Sequence, residues 1–556
     1  MVAAEKQGQK HHGHREEWSG QFGFIMSAIG SAVGLGNIWR FPGVAYTNGG
    51  GAFLVPYIVA LLTAGIPILL LDYALGHRYH GSSPTVFRRL GKKWESIGWF
   101  HVMICIVITS YYAVILAWAV RYVMFSANLE WGKDTTSFFL KDFLQVGEPG
   151  VNADVVIGIF IPLTLVWIAA FVVMALGVTR GIERLNRFFI PFLVLIFGAL
   201  VVRALFLEGA IDGLNAFFTP NWSALADPGV WIAAYSQIFF SLSVGFGIML
   251  TYSSYLRAKS NIIPTGLVTG FANSSFEILA GIGVFATLGF MASQQGIQIN
   301  ELEGLTGPIL SFVTFPAVIS MMPGGPIFGV IFFLSLTIAG FTSLVSLLQV
   351  TSAAFQEKFG ISRRRATMWV TGVSGVASVF IFSTTDGLNA LDVVDKYINE
   401  LGIISSAIFA CVVVSFVLRR LPLLRAHLNY HSMLNLGKWW YAMVAVLVPA
   451  VLTVILTATI IDLIKEPYGG YPAIFNFEFG WAMIIATLIA SIGFSLLRWK
   501  TPVDDFNPMV FHGSQSAGGY DDTPAYFANK ESSTARELAP EPELVASSAT
   551  HSTKEN

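Results

Sequence analysis

The stretch GSAVGLGNIWRFP (residues 30–42) lies in the first long apolar run of the chain and departs from what a bilayer demands. Gly30, Gly34 and Gly36, followed by Asn37 and Arg40, occupy a depth where lipid favours leucine. A helix unwound in mid-membrane frees N–H and C=O groups that lipid cannot satisfy, so a break persists only where other groups take them up. A membrane-embedded arginine has to face a cavity and find an acid. Gly30 and Gly34 also form a small-xxx-small pair that lets helices pack closely, so this run alone leaves that alternative open.

The rest of the chain sets the class. Its 556 residues are 54% hydrophobic and only 12% charged, with a mean hydropathy of +0.64; soluble domains carry about 25% charged residues. This composition reads as an all-α polytopic membrane protein and not as a soluble enzyme with one anchor. A net charge of −1 argues against a nucleic-acid partner. Cys105 and Cys411 both lie in apolar stretches, so neither a disulfide framework nor a CxxC metal site is expected. The first twenty residues hold no apolar core beside a small-residue cleavage site, so no signal peptide is expected.

Runs long and apolar enough to cross a membrane fall at about 20–45, 50–76, 97–126, 155–177, 187–207, 231–256, 263–293, 326–356, 366–383, 394–418, 440–462 and 475–497. The connecting loops alternate in charge. One side carries Arg78, Arg88, Arg89, Lys92, Lys93, Arg180, Arg184, Arg187, Arg257, Lys259, Lys358, Arg363, Arg364, Arg365, Arg419, Arg420, Arg425 and Lys438; the other has Lys133, Lys141 and Lys465. Positive charge collects in the cytoplasm, which puts both termini there. The expected organisation is a cytoplasmic tail (1–18), a first five-helix unit (19–208), an external loop (209–230), a second five-helix unit (231–420), helices 11 and 12 (421–500) and a disordered tail (501–556). His11, His12 and His14 read as part of a solvated tail rather than a metal site.

Span 6, YSQIFFSLSVGFGIMLTYSSYLR, is interrupted too, by Ser241, Ser243, Gly245 and Gly247. Five spans separate the two breaks, so spans 1–5 and 6–10 share a layout, and an odd number of spans per unit inverts the second copy. Interrupted helices at corresponding places in two inverted halves point to a substrate site at the bilayer midplane. Half-helix N-termini favour a carboxylate there, and freed carbonyls with Asn, Ser and Thr oxygens suit a hard cation.

GSAVGLGNIWRFP with NGGGAFLVPY (48–57) and QIFFSLSVGFG (237–247) resembles the neurotransmitter:sodium symporter family, and within it the bacterial LeuT-type amino-acid transporters. The likeness covers roughly residues 15–500. It implies twelve transmembrane helices in a LeuT-type 5+5 inverted repeat, with helices 1 and 6 broken. It also implies two sodium ions. The first would be held by the Ala32 carbonyl, Asn37, Ser241, Asn273 and the substrate carboxylate. The second would be held by carbonyls of Gly30, Val33 and Ala339 with the Thr342 and Ser343 hydroxyls, although such hydroxyls also bond back along their own helix. The implied substrate pocket combines Ser31, Ala32 and Gly36 with Ile108 and Tyr112, then Phe240, Ser241, Ser243 and Phe246, and finally Ser343 and Leu347. Monoamine carriers of the family have an aspartate where this chain has Gly34, so the substrate here has to bring its own carboxylate. Ile108, Phe246 and Leu347 favour an apolar side chain.

The resemblance also implies an outer gate, Arg40 with Asp395, and an inner gate, Arg15 with Glu357 where the family usually has aspartate; Gln237 and Tyr255 match gate-supporting positions. Asp72 stands where glutamate is usual. Glu277, four residues after Asn273, takes the place of the serine that helps bind chloride in chloride-dependent members, so no chloride is required. The expected protein is therefore a sodium-coupled symporter of neutral, hydrophobic amino acids working by alternating access. The alternatives are a sodium channel or a non-transporting sensor on the same fold. No HExxH, GxSxG or P-loop pattern supports an enzyme. The 127–154 loop has neither cysteine nor an N-x-S/T sequon, whereas animal members usually carry a disulfide and glycans there, which favours a bacterial cytoplasmic membrane. The particular amino acid and the oligomeric state do not follow from the sequence.

Overall fold

Each apolar run forms helix, and the polar residues inside the runs decide where the helices break or begin. The structure, a computed structural model, describes residues 16–150, 154–302, 305 and 307–503. His11, His12 and His14, Arg15 and the tail from residue 504 onward lie outside the described residues. Among the described residues, ten helices are long and apolar enough to span a bilayer. An eleventh span is the pair Gln21–Ala32 and Leu35–Thr47, bent by 54°. The twelfth is the pair Pro228–Ser241 and Ile248–Ser253, parted by residues 242–247. Numbered along the chain these are spans 1 to 12, with the two broken helices first and sixth.

Two boundaries differ from expectation for the same reason. Span 5, expected from 187, begins at Val178, and span 10, expected from 394, begins at Gly387. The added turns contain Arg180, Glu183 and Arg184 in one case and Asn389 and Asp392 in the other. Hydropathy discounts such residues, although polar residues facing the protein interior, as Glu183 and Asn389 do, are tolerated at membrane depth, while Arg180 and Arg184 stay exposed at the arginine-rich end.

Spans 3 (Lys92–Ser126) and 8 (Gly325–Phe359) run side by side and, with span 7 (Ile262–Gln295), are the most enclosed. Spans 11 (Trp439–Gly470) and 12 (Ala473–Leu496) have only 28% and 22% of their apolar windows buried, so they lie at the periphery. Span 4 turns Ile161, Leu165, Ile168 and Val172 outward; their helical spacing makes a lipid-facing stripe. The first half of span 1 packs on spans 5, 7 and 8, and the second half of span 6 packs on spans 2 and 8.

The loops add short helices that hydropathy does not reveal. Ala210–Phe218 lies against span 7, at the end opposite the arginine-rich loops. Its seat is built from glycine: a Cβ on Gly213 would stand 1.8 Å from the Phe285 carbonyl oxygen, and one on Gly289 would stand 2.3 Å from the Gly209 carbonyl oxygen. Both obstacles are backbone, so the helices would have to separate. Gly213→Ala is therefore expected to lower stability by about 1–3 kcal/mol, the usual range for overpacking. Thermal unfolding of the detergent-solubilised protein reads this as a lower Tm; an unchanged Tm contradicts the seating.

Candidate substrate and sodium sites

The break in span 1 is narrow, and side chains take up part of the backbone it frees. The first half-helix ends at Val33 (φ −74°, ψ 102°), and the second starts after Gly34 (φ −134°, ψ −164°). The Gly34 N–H donates to Asn37 Oδ1 at 2.8 Å, and the Leu35 N–H donates to the Tyr112 hydroxyl at 3.4 Å. The Ser31 carbonyl accepts from Ser243 Oγ at 3.0 Å and from Ser343 Oγ at 3.4 Å. Side chains from spans 3, 6 and 8 thus meet on the opened turn of span 1.

Span 6 breaks by turning left-handed, with Ser243, Gly245 and Gly247 at φ +54°, +83° and +89°. Glycine adopts this conformation without the penalty a Cβ brings. At Gly245 space is short as well, since a Cβ would lie 2.8 Å from Ala407 Cβ. The Gly245 N–H points to Asp72 Oδ2 at 3.4 Å. The carboxylate that stands where glutamate is usual therefore faces the unwound turn of span 6.

The residues assigned to the first sodium site form a closed, buried ring. Asn37 Nδ2 donates to Asn273 Oδ1 (2.9 Å) and to Ser241 Oγ (3.3 Å), and Asn273 Nδ2 donates to Ser241 Oγ (2.5 Å). At the second set, the Ala339 carbonyl accepts from Thr342 Oγ1 (2.9 Å) and Ser343 Oγ (3.2 Å). These two hydroxyls bond back along their own helix here. Gly30 is pressed against Asn186 of span 5, whose Oδ1 would lie 2.3 Å from a Cβ. Both sets offer neutral oxygens without a carboxylate cage, which suits a hard monovalent ion better than calcium.

A cavity of about 640 Å³ is lined by Ser31, Ala32, Gly36, Ile108, Tyr112, Phe240, Ser241, Ser243, Phe246, Ser343 and Leu347, all the residues expected at the pocket. It continues past Arg40 to Asp392, Asp395, Lys396, Tyr468 and Tyr471, toward the end opposite the arginine-rich loops. The expected Arg40–Asp395 ion pair is not formed in this structure. The Arg40 guanidinium lies over the Phe240 ring, 4.4 Å from its centroid, and Asp395 accepts from Asn399 Nδ2 (2.8 Å) and from the Tyr111 hydroxyl. The cavity separates the two charges and each has taken another partner. Asp392, held by the Tyr468 and Tyr471 hydroxyls at 3.1 Å each, lies in the outer part of the cavity and carries no signal in the sequence that marks it for this place.

The arginine-rich end is closed. Trp18 is buried edge-on against Phe24, Tyr252 and Tyr255, and its indole N–H donates to the Tyr252 carbonyl at 2.8 Å. Beside it, Gln349 Nε2 donates to the Tyr255 hydroxyl (2.7 Å), and Arg363 joins Gln349 Oε1 (2.8 Å) to the Glu16 carboxylate. Glu357 accepts from the Ser82 N–H (2.8 Å) and from the Ser82 and Thr85 hydroxyls, while its expected partner Arg15 lies outside the described residues. Tyr255 belongs to this closure. Gln237 does not: its Nε2 donates to Glu277 Oε1 at 2.7 Å. Glu277 is wholly buried and also accepts from the Tyr57 hydroxyl, which in turn reaches Ser274.

Two interrupted helices that share a polar pocket inside a twelve-span bundle define a secondary transporter built on inverted repeats. The family model described as the sodium:neurotransmitter symporter family matches residues 15–138 and 131–501. An uncharacterized sodium-dependent transporter of Methanocaldococcus jannaschii is 39% identical over 86% of this chain and 97% of its own length. The human sodium- and chloride-dependent GABA transporter 2 is 28% identical over 92% of this chain and 90% of its own. The crystal structure of MhsT in complex with L-phenylalanine superposes with a TM-score of 0.67 at 30% identity, covering 80% of this chain and all of that one. The chain belongs to the sodium:neurotransmitter symporter family. It is a multi-pass, sodium-dependent membrane transporter and not an enzyme.

The closed end makes a prediction. Removing a fully packed aromatic costs about 3–5 kcal/mol, and here only the closed form bears that loss. Ser346, buried behind Tyr252 and bonded to its hydroxyl at 2.7 Å, reports on the closure. In a background lacking Cys105 and Cys411, Ser346→Cys is expected to resist a thiol reagent until Trp18→Ala is added. Equal labelling with and without Trp18 removes the indole from this role.

Proposed function

We propose that the protein takes up a neutral, hydrophobic amino acid together with sodium by alternating access, without chloride. One observation carries the substrate class. Position 34 is glycine and its Cβ site faces Ser343 Oγ (2.9 Å) and the Tyr112 hydroxyl (3.2 Å), so the protein supplies no carboxylate of its own at this corner. The same corner offers the Tyr112 hydroxyl and the Leu35 N–H, donors suited to a carboxylate that arrives with the substrate. Asn37, Ser241 and Asn273 lie close enough to place a sodium ion against that carboxylate, with the Ala32 carbonyl completing the set. Freed carbonyls of spans 1 and 6 take the ammonium group, and Ile108, Phe246 and Leu347 receive the side chain. The L-phenylalanine held by MhsT, a relative of the same fold, supports this class of substrate.

A second sodium ion is assigned to Gly30, Val33, Ala339, Thr342 and Ser343. The positive-inside asymmetry puts the arginine-rich end and both termini in the cytoplasm of a bacterial cell. The Trp18 closure and an open opposite end fit a carrier facing outward, and a conducting pore would lack such a plug. Arg40 and Asp395 then form the outer gate when the cavity closes.

Sodium and substrate that share a carboxylate have to strengthen one another, and couplings of this kind amount to about 5- to 150-fold. Binding of leucine, methionine, phenylalanine, tyrosine and tryptophan, compared in sodium and in potassium, is expected to differ by that factor for the true substrate. Gly34→Asp is expected to abolish this binding through like-charge repulsion, with a smaller loss for the decarboxylated amine. Equal affinity in both salts for all five sinks the symport reading.

Chloride independence rests on Glu277, whose carboxylate reaches Gln237 and Tyr57 beside the Asn273 ring. Relatives such as the GABA transporter 2 are named chloride-dependent. A fixed carboxylate supplies the negative charge that an anion would otherwise bring to balance sodium. With gluconate replacing chloride, wild-type uptake is expected to be unchanged, while Glu277→Ser stalls until chloride returns. A chloride requirement in the wild type overturns this assignment.

A further inference from the structure

Three histidines gather at the arginine-rich end of the bundle, away from the transport cavity, whose lining contains none of them. His77 ends span 2; His427 lies on the helix Leu421–Tyr430 that links spans 10 and 11, and His431 follows it. Their ligand nitrogens all lie within 4.8 Å of one another. His427 and His431 are four residues apart, and the His431 N–H still bonds the His427 carbonyl, so the two rings share one face of the turn.

The hydrogen bonds assign the protons. His77 Nε2 faces the Arg257 carbonyl at 3.0 Å; a carbonyl only accepts, so Nε2 carries the proton and Nδ1 keeps its lone pair. His427 Nε2 donates to that lone pair at 2.9 Å. The His431 ring donates to the Ala258 carbonyl, which leaves its other nitrogen open. Metal-binding histidines characteristically fix their far nitrogen on a backbone carbonyl in this way, and two of the three rings already do so on successive carbonyls.

We propose that His77 Nδ1, His427 Nε2 and the open nitrogen of His431 form a zinc-class transition-metal site. The metal replaces the proton shared by His77 and His427, and that proton moves to His427 Nδ1, so both rings stay neutral. Zinc–nitrogen bonds of about 2.0–2.1 Å in a tetrahedron separate the nitrogens by about 3.3 Å, a small opening of the existing contact. The half-buried side at His431 leaves the fourth position to water. The charged and titratable groups acting on the triad are Arg78 and His80, while Arg257 offers it a backbone carbonyl and pairs its own guanidinium with Glu17 at 3.5 Å. Arg78 repels any cation, so the site selects an ion that bonds imidazole strongly over a hard ion such as magnesium. The linker holding His431 is already fastened to span 7: the Ile262 N–H reaches the His431 carbonyl (3.4 Å), the Ile263 N–H reaches Ser432 Oγ (2.9 Å) and the Met433 N–H reaches Asn261 Oδ1 (3.0 Å). A bound metal staples span 2 to the same corner.

The test uses the full-length protein in detergent with His11, His12 and His14 changed to glutamine, so that tail histidines contribute nothing. Equilibrium dialysis against zinc chloride is expected to give one zinc per chain and a raised Tm. The zinc absorption edge is expected to fit three imidazole nitrogens. His427→Gln and, at the half-buried position, His431→Gln are each expected to weaken binding by at least about 10- to 100-fold, the scale seen even for the loss of a supporting partner. The size-exclusion profile and the zinc-free Tm check the fold of each variant. No bound zinc in the tail-substituted protein, or unchanged affinity in either folded variant, overturns the site.

Discussion

The constraint on which the centre of this protein depends is the backbone opened between Ser31 and Leu35. An unpaired peptide group in a membrane costs several kcal/mol, so every group freed there needs a partner. The partners come from different parts of the chain: Asn37 from beyond the break, Tyr112 from span 3, Ser243 from span 6 and Ser343 from span 8. Satisfying one unwound turn therefore pulls four spans onto a common point. The pocket follows from that convergence, since its walls are the remaining faces of the same residues and their neighbours.

The second break answers the first. Ser243, in the left-handed region, aims its hydroxyl at the Ser31 carbonyl, and the glycines after it let the chain resume as helix. Asp72 of span 2 faces the Gly245 N–H and so supports the turn from behind. On the other flank Glu277 fixes Gln237 and Tyr57, setting the half-helix of span 6 against spans 2 and 7. Two buried carboxylates thus bracket span 6, one toward each half of the membrane. Each acts by accepting hydrogen bonds rather than by pairing with a base.

Much of this was legible in the sequence, because each break is written in consecutive residues whose presence at membrane depth needs an explanation. The pocket residues could be named because the family resemblance carries them over position by position, those of spans 3 and 8 included, and not from the breaks alone. What escaped depends on contacts between distant segments. The early starts of spans 5 and 10 hide behind Arg180, Glu183 and Asp392, whose charge masks their helical register. Trp18 reads as one aromatic in a polar tail until Tyr252 and Tyr255 close around it. His77 and His427 stand 350 positions apart, and no local pattern brings them together. The Arg40–Asp395 pair shows the converse limit: sequence names the partners, while the conformation decides whether they touch.

That separation of Arg40 and Asp395, with the opposite end shut, bears on how the ends are balanced. Inverted-repeat transporters expose the central site to one side at a time by rocking one part against the other, so neither closure can be much more stable than its counterpart. The polar members of the closed end suit that requirement. The Arg363–Glu16 pair is partly exposed on its acidic side, and such pairs contribute at most about 1 kcal/mol. The Trp18 indole is different, because it is buried and makes three aromatic contacts. It is the main stabiliser of this closure, and the outer end has to offset it when it shuts. Arg40 and Asp395 alone are a modest counterweight if they meet near water. The Phe240 ring now beneath Arg40 touches Gly36, where even a Cβ would lie 2.2 Å from it. A substrate that displaces this ring and fills the apolar part of the pocket brings buried area to the outer closure, at roughly 25 cal/mol per Å². On the proposed mechanism, substrate is then the missing part of the outer plug, which couples its binding to the choice of open side.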